Sequence, residues 1–269
     1  MDKPILISII SICIIFAATT IGSALVFFFK KSLSEKFKSI ILGFAGGIMM
    51  AAALFGLIIP SIDQSNANPI YSGWNFVPPI VGFLFGGVLL FGLDKLVPHF
   101  HKLQNVEEGL SDKSLSENFK FFLAVTIHNI PEGLSVGFAC GLALSLSGSA
   151  AIVSSLSALS LAIGIAIQNI PEGAAVSIPM FSDGMKKGKA FLFGTVSGVV
   201  EPIFAVFGLF LAKLSLINPW LLALAAGSMI YVTLDEILPE ARENGLSHYG
   251  MWSFMIGFAV MMTLEITLG

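Results

Sequence analysis

The chain has 269 residues, of which 55% are apolar and only 12% charged, with a mean hydropathy of +0.89. A soluble domain is about one quarter charged, so this composition excludes that class and points to a lipid bilayer as the surroundings. The formal net charge of −3, with no basic block, gives no footing for a nucleic-acid partner.

Eight apolar stretches reach membrane-spanning length, at about 5–29, 39–59, 77–97, 119–143, 152–180, 190–212, 219–239 and 249–268. The first runs from Pro4 to Phe29, too long for the apolar part of a signal peptide, and is expected to stay in the protein. Cys13 within it and Cys140 in the fourth stretch show no CxxC spacing and read as buried thiols. Between the second and third stretches, about Pro60 to Phe76, lies an Asn-, Ser- and Pro-containing connection whose only charge is Asp63. The connection from about 98 to 118 is polar and begins with His99 and His101. No separate soluble domain stands out, so residues 1–269 read as one transmembrane unit.

Twelve of the 14 lysines and arginines fall on one side of these stretches, only Lys3 and Lys213 on the other. The positive-inside rule then places both termini outside the cytoplasm. The fourth and fifth stretches run in opposite directions.

Those two stretches share a motif. His128-Asn129-Ile130-Pro131-Glu132-Gly133 recurs as Gln168-Asn169-Ile170-Pro171-Glu172-Gly173. On a helix, His128 and Glu132 lie one turn apart on one face, with Asn129 on its edge; Gln168, Asn169 and Glu172 repeat the geometry. At 1.5 Å per residue both copies lie roughly 14–18 Å deep, near the bilayer middle. Such a pairing has the form of a midplane transport site. Pro131 and Pro171 leave the carbonyls of Ile127 and Ile167 without their helical donors and bend each helix, while Gly133 and Gly173 permit close approach. Glu201, next to Pro202, adds a third carboxylate in the sixth stretch.

Two glutamates near one point repel unless a cation lies between them. Imidazole, amide oxygen and carboxylate together suit zinc, iron(II), manganese, cobalt or cadmium. One buried His–Glu pair can be structural glue between helices. A duplicated motif accompanied by Glu201 favours a cation site instead.

At these residues the chain resembles the ZIP (Zrt/Irt-like) family of divalent metal transporters, over nearly its whole length. Gln168, where many members have His, resembles the bacterial GufA-like branch. The resemblance implies an all-α integral membrane fold of eight helices in a 3+2+3 inverted repeat, a bacterial plasma-membrane location and a homodimer. It implies a two-metal centre, one position using His128, Glu132, Gln168 and Glu172. The second would use Asn129, Glu132, Asn169, Glu172 and Glu201, with the glutamates bridging and this ion either carried or structural. Some relatives have Asp where this chain has Asn169, which lowers the charge of that position. A cytoplasmic exit region would comprise Asp94, His99, His101, Asp235 and Glu236.

The expected function is therefore uptake of Zn2+, with Fe2+, Mn2+ or Cd2+ as further cargo, into the cytoplasm, and not an enzymatic activity. An intramembrane metallohydrolase is the rival, but HExxH is absent and every carboxylate is a plausible ligand. A membrane metal sensor is a third reading, and a cytoplasmic output domain is not seen.

Overall fold

A computed structural model of the chain describes residues 2–28, 34–96, 99–101, 106–108, 117–214, 216–242 and 247–268. Apart from one small hairpin, the described elements are helical. They are α1 (Lys3–Ala24), α2 (Glu35–Ala51), α3 (Ile59–Ala67), α4 (Val77–Leu96), α5 (Glu117–Ser145) and α6 (Gly148–Ser182), then α7 (Lys187–Gly198), α8 (Val200–Leu211), α9 (Asn218–Val232), α10 (Leu238–Ala241) and α11 (Ser247–Leu268). Among the described residues six helical segments are long and apolar enough to cross a membrane, from Lys3–Phe27 to His248–Leu268, and Val77–Leu93 is a shorter apolar helix. The 29-residue α5 carries the first motif. This is a helical bundle of a multi-pass membrane protein.

The helices depart from the expected stretches where local chemistry dictates. The second stretch does not end at Pro60: a π-helical turn, Ala52–Ile58, joins α2 to α3, and the helix continues to Ala67. Pro60 falls in the first turn of α3, where its missing N–H costs little. α5 and α6 are longer than expected and only Leu146 and Ser147 separate them. Gly148, at φ +64°, supplies the left-handed backbone that this reversal needs. The sixth stretch breaks into α7 and α8 at Val199. Pro202 cannot donate to the carbonyl of Gly198, and the Val199 N–H turns to Val196 instead, 3.1 Å away. A second π-helical turn, Thr233–Ile237, joins α9 to α10.

The polar connection after α4 holds an antiparallel hairpin, β1 (His99–His101) and β2 (Val106–Glu108), with His99 opposite Glu108 and His101 opposite Val106. The rest of that connection lies outside the described residues. Cys140 is buried, as expected, but Cys13 is exposed. α1 turns the stripe Ser8, Ser11, Ile15, Thr19 and Gly22 inward, and Cys13 lies on its outer face.

Four helix pairs make the frame: α1 with α6, α5 with α8, α2 with α11 and α4 with α9. Each pair runs parallel: in three of them successive glycines one turn apart meet successive carbonyls of the partner, as at Gly43 and Gly47 against Gly250 and Phe254, or Gly82 and Gly86 against Trp220 and Leu224, and in α1–α6 Asn169 reaches Ile15 and Gly173 meets Thr19. A Cβ on Gly133 would lie 2.3 Å from the Glu201 carbonyl oxygen, and one on Gly173 2.1 Å from that of Thr19. Both motif glycines therefore set how closely the site helices approach. An apolar core including Ile48, Leu57, Leu90, Val136, Leu161, Ile165, Leu222 and Met229 fills one part of the bundle, and Phe122, Val176, Ile178 and Met180 fill another.

Candidate metal centre

The two motif copies meet where α5 packs on α6. His128, Asn129, Glu132, Gln168 and Asn169 are buried, Glu132 being 1% and His128 6% exposed, and Glu172 is half-buried; Glu201, from α8, is fully buried beside them. The Gln168 amide donates across the interface to Glu132 Oε1, and to Asn169 Oδ1 at 3.2 Å. Asn169 donates to Glu201 Oε2 at 2.9 Å, and its amide nitrogen lies 3.4 Å from the Ile15 carbonyl oxygen. Asn129 donates to the Ser197 carbonyl at 3.0 Å. Glu172 is within electrostatic reach of Glu132, His128, Glu236 and Glu201. Hydrogen bonds thus join Glu132, Gln168, Asn169 and Glu201, Glu172 and His128 lie within electrostatic reach of them, and Asn129 is anchored separately on the Ser197 carbonyl.

Backbone irregularities place the remaining acids. The break at Val199 puts Glu201 in the first turn of α8, where the positive end of the helix dipole favours a carboxylate. The π-helical turn after α9 widens the helix and carries Asp235 and Glu236. His128 Nε2 lies 3.1 Å from Glu236 Oε1. Glu236, expected at the exit, therefore adjoins the central cluster. The side chains of Asp94, His99 and His101 lie outside the described part of the molecule.

Sequence reasoning missed Thr19, whose hydroxyl donates to Glu201 Oε1 at 2.6 Å and lies 3.3 Å from the Ile15 carbonyl. The available signal was the spacing of small and hydroxyl residues along α1. Ser8, Ser11, Thr19 and Ser23 recur at three- and four-residue steps or their multiples. It also missed that main-chain carbonyls of Ile15 and Ser197 anchor the two asparagines.

The hydrogen bonds leave a chemically uniform remainder. Asn129 Oδ1, Glu132 Oε2 and Gln168 Oε1 are buried acceptors with no donor. A buried acceptor without a donor costs about 1–3 kcal/mol. A cation can satisfy several such oxygens at once, which no single N–H can do. Among the described residues no three His, Cys, Asp or Glu side chains converge closely enough to hold a metal alone.

These features define a polytopic helical membrane protein built round a buried cluster of cation-ligand side chains. The ZIP zinc transporter family matches residues 118–265, a stretch that holds both motifs and Glu201. The chain is 32% identical to the human zinc transporter ZIP11, over 93% of this chain and 94% of that protein. It is 34% identical to the zinc transporter ZIPB of Bordetella bronchiseptica, covering 94% of this chain and 79% of that one. The zinc transporter GufA of Myxococcus xanthus is 32% identical, with 94% and 95% covered. The chain belongs to the ZIP family.

Proposed function

We propose that this protein transports divalent metal cations, Zn2+ foremost and Fe2+, Mn2+ or Cd2+ as further cargo, across a plasma membrane into the cytoplasm. The observation that carries this reading is the set of three donorless oxygens between α5 and α6, within a cluster that also holds four carboxylates. The names of the similar proteins supply the cargo class. Nothing in the cluster favours the hydrolase or sensor readings.

The Gln168 amide occupies the place a cation would take, its partly positive N–H against Glu132. Turning that amide over places its oxygen beside Glu132 Oε1, so that both oxygens become free to act as ligands. His128, Glu132, Gln168 and Glu172 then form the first position. Asn129, Glu132, Asn169, Glu172 and Glu201 form the second, with Thr19 holding Glu201 in place. When ionised, Glu132, Glu172, Glu201 and Glu236 carry four negative charges, which two divalent cations balance. This charge count supports a binuclear centre. From it, the ion leaves past Glu236 and Asp235 toward Asp94, His99 and His101.

Residues 1–269 act as one unit of eight crossings with both termini outside. The parallel pairing supports that count. With α1 parallel to α6, the chain between them must cross so as to restore direction; were α4 not a crossing, α1 and α6 would run antiparallel. Exchanging the first three spans with the last three, and α5 with α6, maps each of the four pairs onto another, as a 3+2+3 repeat demands. A homodimer completes the proposal on the family resemblance.

The test is saturable uptake of radioactive Zn2+ by liposomes holding the purified protein. His128→Ala and Glu172→Ala should each reduce it strongly. Binding without uptake by the native protein would replace the transporter with a sensor. Full uptake by both variants would make the motif structural glue.

A further inference from the structure

A cavity of about 340 Å3 lies toward the other end of the same helices. It is lined by Ala139 and Leu142 of α5, Ala158 and Leu161 of α6, Phe55 of the first π-helical turn and Glu265 of α11, among others. Ala139 lies seven residues beyond Glu132 and Leu161 seven before Gln168, so the floor is roughly 10 Å from the centre. Buried Val136, Ile165 and Met229 lie between them. By the positive-inside rule this is the extracytoplasmic end.

Among the described residues lining this cavity, Glu265 is the only ionisable one. Its Oε1 is buried and has no donor. The first π-helical turn makes room for it: a Cβ added to Gly56 would lie 3.3 Å from that oxygen and 2.9 Å from Leu161 Cδ1. π-turns inside α-helices cluster at functional sites. The volume falls in the range of small-molecule pockets, roughly 300–1,000 Å3, and such pockets combine apolar walls with few polar groups.

We propose that this cavity binds a small organic cation, a protonated amine on an apolar or aromatic body. Its ammonium pairs with Glu265 and its body lies against Phe55, Leu142, Leu161 and Leu222. The ligand class follows from what the walls lack. A divalent ion gives up several waters only for several replacement ligands, usually four or more. Here the described lining offers one carboxylate, the two serines Ser154 and Ser157, and otherwise apolar residues. An ammonium group needs one counter-charge, and its apolar body gains from the walls. Seated there, the ligand would close the extracytoplasmic approach to the metal centre; that consequence alone rests on the transport reading.

The test is calorimetric titration of 2-phenylethylamine into the full protein in lipid nanodiscs, with empty nanodiscs as blank and the neutral 2-phenylethanol as comparison. Glu265→Gln should weaken the amine by at least about tenfold and leave the alcohol within about twofold. Ala139→Phe, which fills the cavity, should weaken both. Amine binding that is no tighter than the alcohol, that ignores Glu265→Gln, or that survives Ala139→Phe would overturn the proposal. Zn2+ displacing the amine from His128→Ala protein through Glu265 would also overturn it, making the carboxylate a station for cargo. In Zn2+-loaded assays the amine should slow uptake by the native protein and not by Glu265→Gln. If no variant transports Zn2+ yet the binding pattern holds, the transport reading fails and the site stands.

Discussion

Thr19→Val tests whether the centre extends onto α1. The substitution keeps the shape of the side chain and removes the hydroxyl that donates to Glu201 Oε1 at 2.6 Å. That leaves one oxygen of a fully buried carboxylate without its donor. A hydrogen bond to a charged acceptor is worth about 1.5–3 kcal/mol, against about 0.5–1.5 for a neutral one. The part that depends on Glu201 being ionised, as when it holds a cation, is the difference, about 1–1.5 kcal/mol. Zn2+ affinity should therefore fall about 5- to 12-fold. The remainder should appear as a lower melting temperature of the metal-free protein. Thr20→Val is the control one residue away, because Thr20 Oγ1 is buried with no partner and its removal should leave affinity within about twofold. Calorimetric Zn2+ titration in nanodiscs reads both variants. Equal effects from Thr19→Val and Thr20→Val, or none from either, would refute the role given to Thr19.

Gly173→Ala should lower the melting temperature by the equivalent of about 1–3 kcal/mol, since its Cβ would meet the Thr19 carbonyl, whereas Gly188→Ala has nothing within 4 Å and should leave it unchanged or raise it. Zn2+ affinity should fall as the pH is lowered, because protons compete for Glu132, Glu172, Glu201 and the His128 imidazole; the protons released per Zn2+ bound, read from calorimetry in buffers of different ionisation enthalpy, should drop in Glu201→Gln. Gln168→His exchanges an amide oxygen for an imidazole nitrogen and should raise the ratio of Cd2+ to Mn2+ affinity in competition titrations.

The central site was legible because its chemistry is costly where it sits. Charged and amide side chains inside apolar runs stand out, and two copies forty residues apart mark them as one candidate site. The parts left unread are those that hydropathy does not register. Thr19 is one hydroxyl in a helix of mean apolar character, and its role exists only because Gly173 lets α1 come into backbone contact with α6. Glu236 reads as an ordinary acid near a span end. Its place beside His128 depends on a π-helical turn, an extra residue in the helical register that leaves no mark in composition. The same cause hid the cavity: Phe55 and Gly56 enter it through the other π-turn, and Glu265 looks like a solvated acid near the end of α11. The two π-turns lie between α2 and α3 and between α9 and α10, and each brings a glutamate against the α5–α6 pair. One accommodates Glu265, the other carries Glu236. A helix that must bring acids to a buried pathway while keeping its outer face apolar has few ways to do so, and a local change of register is one that leaves the flanking packing intact.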